Sequence, residues 1–356
     1  MSLLHKQPLK LPCFRKPVIV RSAPPLLSNN GLTSLTLNPP GVLICSDPCG
    51  GDRGRVTTTM PGDGVHLSLE AFEKRWENDA KMRDELFREL GAIGSSNGWL
   101  PTLKDGVLGL RDMNMNTEVD PKRILLPPLV TLPHCQTQYV TNVAMSSSPE
   151  EEDCVVAVKY LGPQLSFCRP AQSKSEWINV RIESPCFFSS PVMFSKKEGM
   201  FRIAGSGGHL IGSLDRHKHS KKPKFQRLWF QNPKMTETQR DLLDSCYTSE
   251  HLVESEITGE TFMVKLYKKT ANIIEGIPRM HTEAVMVFKI DEEGNAVYTE
   301  DIGNQSIYVT SSEALCNLFS TRLCLCRPNY VKINDVDERR NIKLADPKWK
   351  RRQSST

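Results

Sequence analysis

The stretch Cys154–Val180, "CVVAVKYLGPQLSFCRPAQSKSEWINV", decides how the chain is read. It holds two β-rich runs joined at Gly162-Pro163 and a third run ending in Trp177, the punctuation of a hairpin unit. Within "QLSFC" the side chains alternate, so Leu165 and Phe167 point one way while Ser166 and Cys168 point the other. Arg169 and Pro170 follow, and a proline ends a ladder because it has no amide hydrogen to give. The Cys-Arg-Pro triplet returns at Cys326, Arg327 and Pro328, where Cys324 and Cys326 share a strand face. A neighbouring cation can lower a thiol pKa, but a nucleophile also needs a base or an anion-stabilising pocket, and neither is identifiable beside these triplets. Both read as strand ends, with each cysteine a small buried hydrophobe.

Units of the same texture extend on both sides. "NGWLPTLKDGVLGLRD" carries the turn dipeptides Asn97-Gly98 and Asp105-Gly106, with Trp99, Leu103, Val107 and Leu110 as strand material, and "RILLPPLVTLP" ends that unit. "PEEED", from Pro149, is a solvated acidic loop. Downstream, "PVMFSKKEGMFRIAGSGGHLIGSL" turns at Glu198-Gly199 and at Gly207-Gly208, and "HLVESEITGETFMVKLYKK" turns at Thr258-Gly259. "AVMVFKIDEEGNAVYTEDIGNQSIYV" turns at Gly294-Asn295 and Gly303-Asn304. Strand pairs at this cadence predict a mainly β protein, a β-propeller-like domain over residues 92–340, because radial repetition buries most strand edges. One helix interrupts them: "TETQRDLLDSCY" opens with Thr236 and has Gln239 three residues later, a capping box, and is expected to cover a gap between blades.

The composition sets the outer limits. The chain has 356 residues, 38% hydrophobic, and no run near the roughly 20 apolar residues that span a bilayer. Eleven cysteines at irregular spacings argue for reduced thiols rather than a disulfide framework. No acidic residue precedes Asp47, whereas Lys6, Lys10, Arg15, Lys16 and Arg21 are all basic, so the net charge of +5 sits at the start and the body is balanced. Residues 1–46, basic and rich in Ser, Thr and Pro, have the composition of an organellar transit peptide. Pro8, Pro12 and Pro17 break any long amphipathic helix there and leave mitochondrion and chloroplast both open, with a disordered tail on a cytoplasmic or nuclear protein as the plainer reading. Residues 47–67 read as a Gly-rich linker. Residues 68–91 read as an amphipathic helix, capped by Ser68 and stopped at Gly91, with Leu69, Phe72, Trp76, Ala80, Leu86, Phe87 and Leu90 near one face. Residues 341–356 form a basic tail containing "KWKRRQ".

Other chemical candidates are weaker. "GSGGHLIGS", from Gly205, resembles a phosphate loop only loosely, since no Lys-Ser/Thr ending follows and no helix begins there. His217 and His219 lie among Lys218, Lys221, Lys222 and Lys224, yet the further ligands a metal needs are not supplied, and the charge run reads as a solvated loop more readily than as an RNA contact. Cys45 and Cys49 have no second pair to complete a zinc site. No catalytic, cofactor-binding or metal-binding residue is assigned, and no enzyme activity is expected.

Taken in order, "GWL" at Gly98–Leu100, "RILLPPL", "LSFCRP" with Trp177, "GMFRIAGSGGHL", "HLVESEITGETFMVKLYK", "IGNQSIYV" and "RPNYVKIND" resemble the plant family called domain of unknown function 295, from about Trp99 to Asp335. One branch of that family carries an amino-terminal F-box and is thought to serve as a substrate receptor of ubiquitin ligases. Another, expanded in the mustard family, carries an organellar transit peptide instead. With one clear helix and a Gly-rich linker before Gly98, the chain is more similar to the organellar branch, whose precedent leans towards mitochondria. The resemblance implies a non-catalytic organellar binding protein that uses loop surfaces to recognise a protein or RNA. The alternative it implies is an F-box-type receptor with a degenerate or missing F-box, partnered by a Skp1-type adaptor and a cullin.

Overall fold

The computed structural model describes residues 43–48, 54–59, 96–97, 99–112, 122–133, 135, 139–215, 223–255, 258–274, 277–309, 314–318, 328–334 and 338–345. The amino-terminal segment before residue 43, the helix expected over residues 68–91, the second Cys-Arg-Pro triplet at Cys326 and Arg327, the His217/His219 run and the tail beyond residue 345 lie outside them. β1 (Leu43–Pro48), which crosses the boundary drawn at residue 46 between the basic amino-terminal segment and the linker, forms an antiparallel hairpin with β2 (Gly54–Thr59) inside the linker.

Among the described residues the remaining strands form five sheets, the blades of a β-propeller. Blade one is β3 (Trp99–Lys104), β4 (Val107–Asp112) and β5 (Arg123–Pro128) in chain order. Asp105 and Gly106 join β3 to β4 with φ of 49° and 74°, the left-handed pair that matches strand twist in a two-residue turn. Blade two is β6 (Val140–Met145), β7 (Val156–Tyr160), β8 (Gln164–Cys168) and β9 (Ile178–Arg181). Its third run therefore begins just after Trp177 instead of ending there. Trp177 is half-buried, and its indole Nε1 donates to the carbonyl of Pro127 in blade one at 2.7 Å. Blade three is β10 (Val192–Ser195), β11 (Met200–Ala204), β12 (Leu210–Asp215) and β13 (Lys224–Arg227).

The last two blades depart from simple hairpin order. Blade four contains β15 (Tyr247–Glu254), β16 (Thr261–Ile274), β17 (Ile277–Ile290) and β18 (Asn295–Thr299), and its outer edge is completed by β14 (Trp229–Gln231), which runs parallel to β18. In blade five the spatial order is β20 (Ala314–Leu318), β19 (Gln305–Val309), β21 (Tyr330–Asn334) and β22 (Arg339–Lys343), with β19 and β21 parallel. The single described α-helix, α1 (Glu237–Asp244), has the expected capping box: Thr236 Oγ1 accepts from Gln239 N while the Gln239 side chain accepts from Thr236 N. Its Leu243 joins the apolar cluster between blades three and four, so the helix does cover that gap.

Each successive pair of blades shares one buried apolar cluster, and strand alternation feeds two clusters at once. In β7, Val156, Val158 and Tyr160 face blade one, while Ala157 faces blade three together with Leu165 and Val180. In blade four, Phe262, Val264 and Val287 face blade five, and Met263, Met286 and Phe288 face blade three. A blade sandwiched in this way buries both faces, so its strands need apolar residues at every position rather than every second one. Burying each Val or Leu contributes about 1.5–3 kcal/mol.

Apolar packing has no direction, and here directional contacts accompany it at the four junctions between consecutive blades. The peptide groups of one residue are held, N–H and C=O both, by side chains of the adjoining blade. Ser96 Oγ accepts from Met145 N at 3.0 Å and Asn97 Nδ2 donates to Met145 O at 2.9 Å. Asn142 Oδ1 accepts from Val192 N at 3.0 Å, and its Nδ2 donates to Val192 O at 2.7 Å. Glu250 Oε1 accepts from Gly207 N at 2.9 Å and Lys265 Nζ donates to Gly207 O at 2.8 Å. Glu338 accepts from Thr282 N at 3.0 and 3.1 Å, and Arg340 donates to Thr282 O. Each clamp imitates the pair of bonds that a neighbouring strand would make.

Replacing Asn142 by Leu keeps the volume but strips both bonds from the buried Val192 peptide. Urea unfolding followed by tryptophan fluorescence should show a loss of about 3 kcal/mol. A loss under about 0.5 kcal/mol, the level of an ordinary surface change, would show that the clamp does not matter.

Candidate functional site

The inner strands β6, β10, β15 and β20 leave a cavity of about 90 Å³ between them, closed on the blade-one side by Ser96 and Asn97. That space has room for a few water molecules and for little else. Its apolar lining comes from Val143, Met145, Phe194, Leu252 and Leu315, and its polar lining from Ser96, Asn97, Asn142, Lys196, His251 and Glu254. Most of these polar groups already have work. Ser96, Asn97 and Asn142 are clamp residues. Glu254 accepts from Ser195 Oγ and from Lys197 N, at 3.0 Å for the latter, and so ties the turn between β10 and β11 to blade four. His251 Nε2 lies 3.1 Å from Ser249 Oγ. Residues two apart on a strand share a face, so this serine–histidine contact follows from strand geometry.

The "GSGGHL" turn between β11 and β12, which loosely resembled a phosphate loop, is instead the point where blade four grips blade three. Glu250 and Lys265 enter it from one side and hold the Gly207 peptide. The Lys265 ammonium also lies 3.8 Å from the centre of the Phe230 ring, a cation–π contact. Burial pushes the Glu250 carboxyl up and the Lys265 amine down from their ordinary values, and each partner's charge offsets part of the shift. Gly208 has φ of 74°, and a Cβ there would stand 3.0 Å from Lys265 Cε, so the turn can carry no side chain where the lysine passes.

Lys159 is a second buried cation. It is fully buried, and its Nζ donates to the carbonyls of Tyr160, of Gly162 at 3.0 Å and of Phe188 at 2.9 Å. Burial draws its pKa down to about 7. The three carbonyls bind the turn between β7 and β8 to the segment leading into blade three. Neither Lys159 nor the Glu250–Lys265 pair stood out in the sequence, although the two lysines gave a signal: each is a charge set inside an apolar strand run, "VAVKYL" and "FMVKLY", and such a charge must find a partner.

The thiols behave as hydrophobes. Cys168 is buried against the blade-one cluster, on the face opposite to Leu165 and Phe167 as alternation requires. Burial pushes its pKa up to about 11 despite the adjacent Arg169, and pushes Cys316 up to about 12. Cys154 and Cys246 are also raised by burial. Cys135, Cys154, Cys168, Cys186, Cys246 and Cys316 carry reduced thiols. Among the described residues no group of three His, Cys, Asp or Glu side chains could hold a metal ion, and no helix is long and apolar enough to cross a membrane. Of the basic run around His217 and His219, Lys224 is described, exposed on the outer strand β13.

A family model described as KIB1-4 beta-propeller matches residues 70–346. No curated protein matches the chain.

Two outcomes follow from these environments. Glu250→Gln or Lys265→Met alone should each destabilise the protein by about 3–5 kcal/mol by leaving an unpaired buried charge, whereas the double substitution should cost much less. Additive losses in a double-mutant cycle would mean that the two residues do not act as a pair. Alkylation of the native protein with iodoacetamide at pH 8 should leave Cys168 unmodified, because its raised pKa keeps the thiolate scarce there; rapid modification of Cys168 would contradict its buried placement.

Proposed function

The chain belongs to the KIB1-4 β-propeller family, and on that premise we propose that it works as a non-catalytic interaction protein inside an organelle, with the mitochondrion favoured over the chloroplast. A propeller of this F-box-related plant family suits protein interaction: the ring fixes the blades, and loops and outer rims are left to meet a partner. The observation that carries the non-catalytic reading is the commitment of the inner polar groups. Ser96, Asn97, Asn142 and Glu254 are bound to neighbouring backbone, so the small axial cavity is lined by structural ties. The organellar reading is supported by the acid-free basic segment before Asp47.

The family's kinship with F-box proteins favours one second reading, a substrate receptor engaging a Skp1-type adaptor and cullin. Proximity labelling in plant cells separates the two, with the labelling enzyme fused at the carboxyl terminus so that the amino-terminal segment stays free. Labelled mitochondrial matrix proteins are expected. A labelled Skp1-type adaptor and cullin would replace the organellar reading with the ubiquitin-ligase one.

A further inference from the structure

We propose that residues 68–91 of this chain dock as a helix on the face of blade one that is turned away from blade two. The four apolar clusters join blade one to two, two to three, three to four and four to five. Among the described residues none of the four joins blade five back to blade one. Yet these two blades meet at the axis, where Ala314 and Leu315 of β20 line the same cavity as Ser96 and Asn97.

Strand alternation divides blade one between two surfaces. Trp99, Leu108, Leu110 and Leu126 belong to the cluster shared with blade two. The opposite surface carries the cross-strand rows Leu100–Arg111–Arg123 and Thr102–Gly109–Leu125. Leu100 is wholly buried but belongs to none of the four clusters, whereas Leu125, on the outer strand, is 76% exposed. Gly109 keeps the middle of this surface flat: a Cβ there would stand 2.9 Å from Thr102 Oγ1 and 3.5 Å from Leu125 Cδ2. A flat surface with apolar residues at both ends suits the apolar stripe of a helix.

The chain itself supplies that helix. Residues 68–91 lie outside the described residues, and their sequence sets Phe72, Trp76, Ala80, Phe87 and Leu90 near one helical face. Asp79 and Arg83 break the stripe but stand four apart, where opposite charges pair. Gly91 precedes Ser96 by five residues, a tether of at most about 18 Å. A helix on so short a tether that packs against blade one must turn back antiparallel to β3. With Leu90 beside Leu100, rises of about 1.5 Å per helical residue and about 3.4 Å per strand residue bring the Glu77–Asp84 turns abreast of Lys104. Charge fits that placement. Glu73, Glu77 and Asp84 follow one another along one edge of the stripe, and Lys104 and Arg123 are exposed cations of the blade-one surface. The family model begins its match at residue 70, so the unit shared by the family takes in this segment as well as the propeller. A segment held in this way turns its apolar face to blade one and away from any adaptor.

Purified full-length protein would be treated with a carbodiimide, which condenses a carboxylate with a lysine amine, and mapped by mass spectrometry alongside hydrogen exchange. Amide links from Glu77 or Asp84 to Lys104 are expected in the monomer band, together with slow exchange over residues 80–91. Leu125→Asp should abolish the links and speed that exchange about tenfold while β7 stays protected. Phe87→Ser, made in the segment instead of the blade, should do the same. Exchange over residues 80–91 at unprotected rates in the natural sequence, or protection that neither substitution changes, would overturn the proposal. Links confined to a dimer band would overturn it by assigning the face to a second copy. So would a purified Skp1-type adaptor that binds the chain and only then protects residues 80–91, since the segment would belong to that partner.

Discussion

The side-chain clamp on the N–H and C=O of a single residue is the interaction on which the rest of this propeller depends. Separate sheets cannot exchange backbone ladders, and apolar packing between them fixes distance better than angle or register. At Met145, Val192, Gly207 and Thr282 the missing direction is supplied by side chains of the adjoining blade, which take the place of a strand. The chemistry changes round the ring, from serine with asparagine, to one asparagine, to glutamate with lysine, to glutamate with arginine. The geometry stays the same. A clamp with one member removed leaves a buried peptide group or charge unsatisfied.

Much of the architecture was legible in the sequence because short-range rules govern it. The turns at Asp105-Gly106, Glu198-Gly199 and Thr258-Gly259 need positive φ, and dipeptides that permit it stand at each. The Thr236–Gln239 capping box is local, and so is the alternation that sent Cys168 to one cluster and Phe167 to another. What escaped was long-range. The donation of β14 to blade four and the parallel pairing of β19 with β21 depend on chain reversal in space, which no window of residues records. Trp177 was placed at the end of a strand when it starts the approach to one, because aromatic residues favour strands and half-buried strand-adjacent sites alike.

The candidate site was harder to read for a related reason. The glycine-rich turn after Ala204 resembled a ligand loop because close backbone approach is needed in both cases. Here what approaches is Lys265 from the next blade, an internal ligand in place of a phosphate. Buried polar groups that would mark a pocket in another fold are here spent on joining blades.

The most direct test of the clamps is amide hydrogen exchange read residue by residue on the native protein. Met145, Val192, Gly207 and Thr282 donate to side chains of another blade, so their amides should exchange only through opening of the blade junctions, with protection close to that of the central strand β7. Exchange of these four amides at the rate of exposed turn residues, in a protein whose β7 stays protected, would show that the blades are joined by apolar packing alone and would contradict the account.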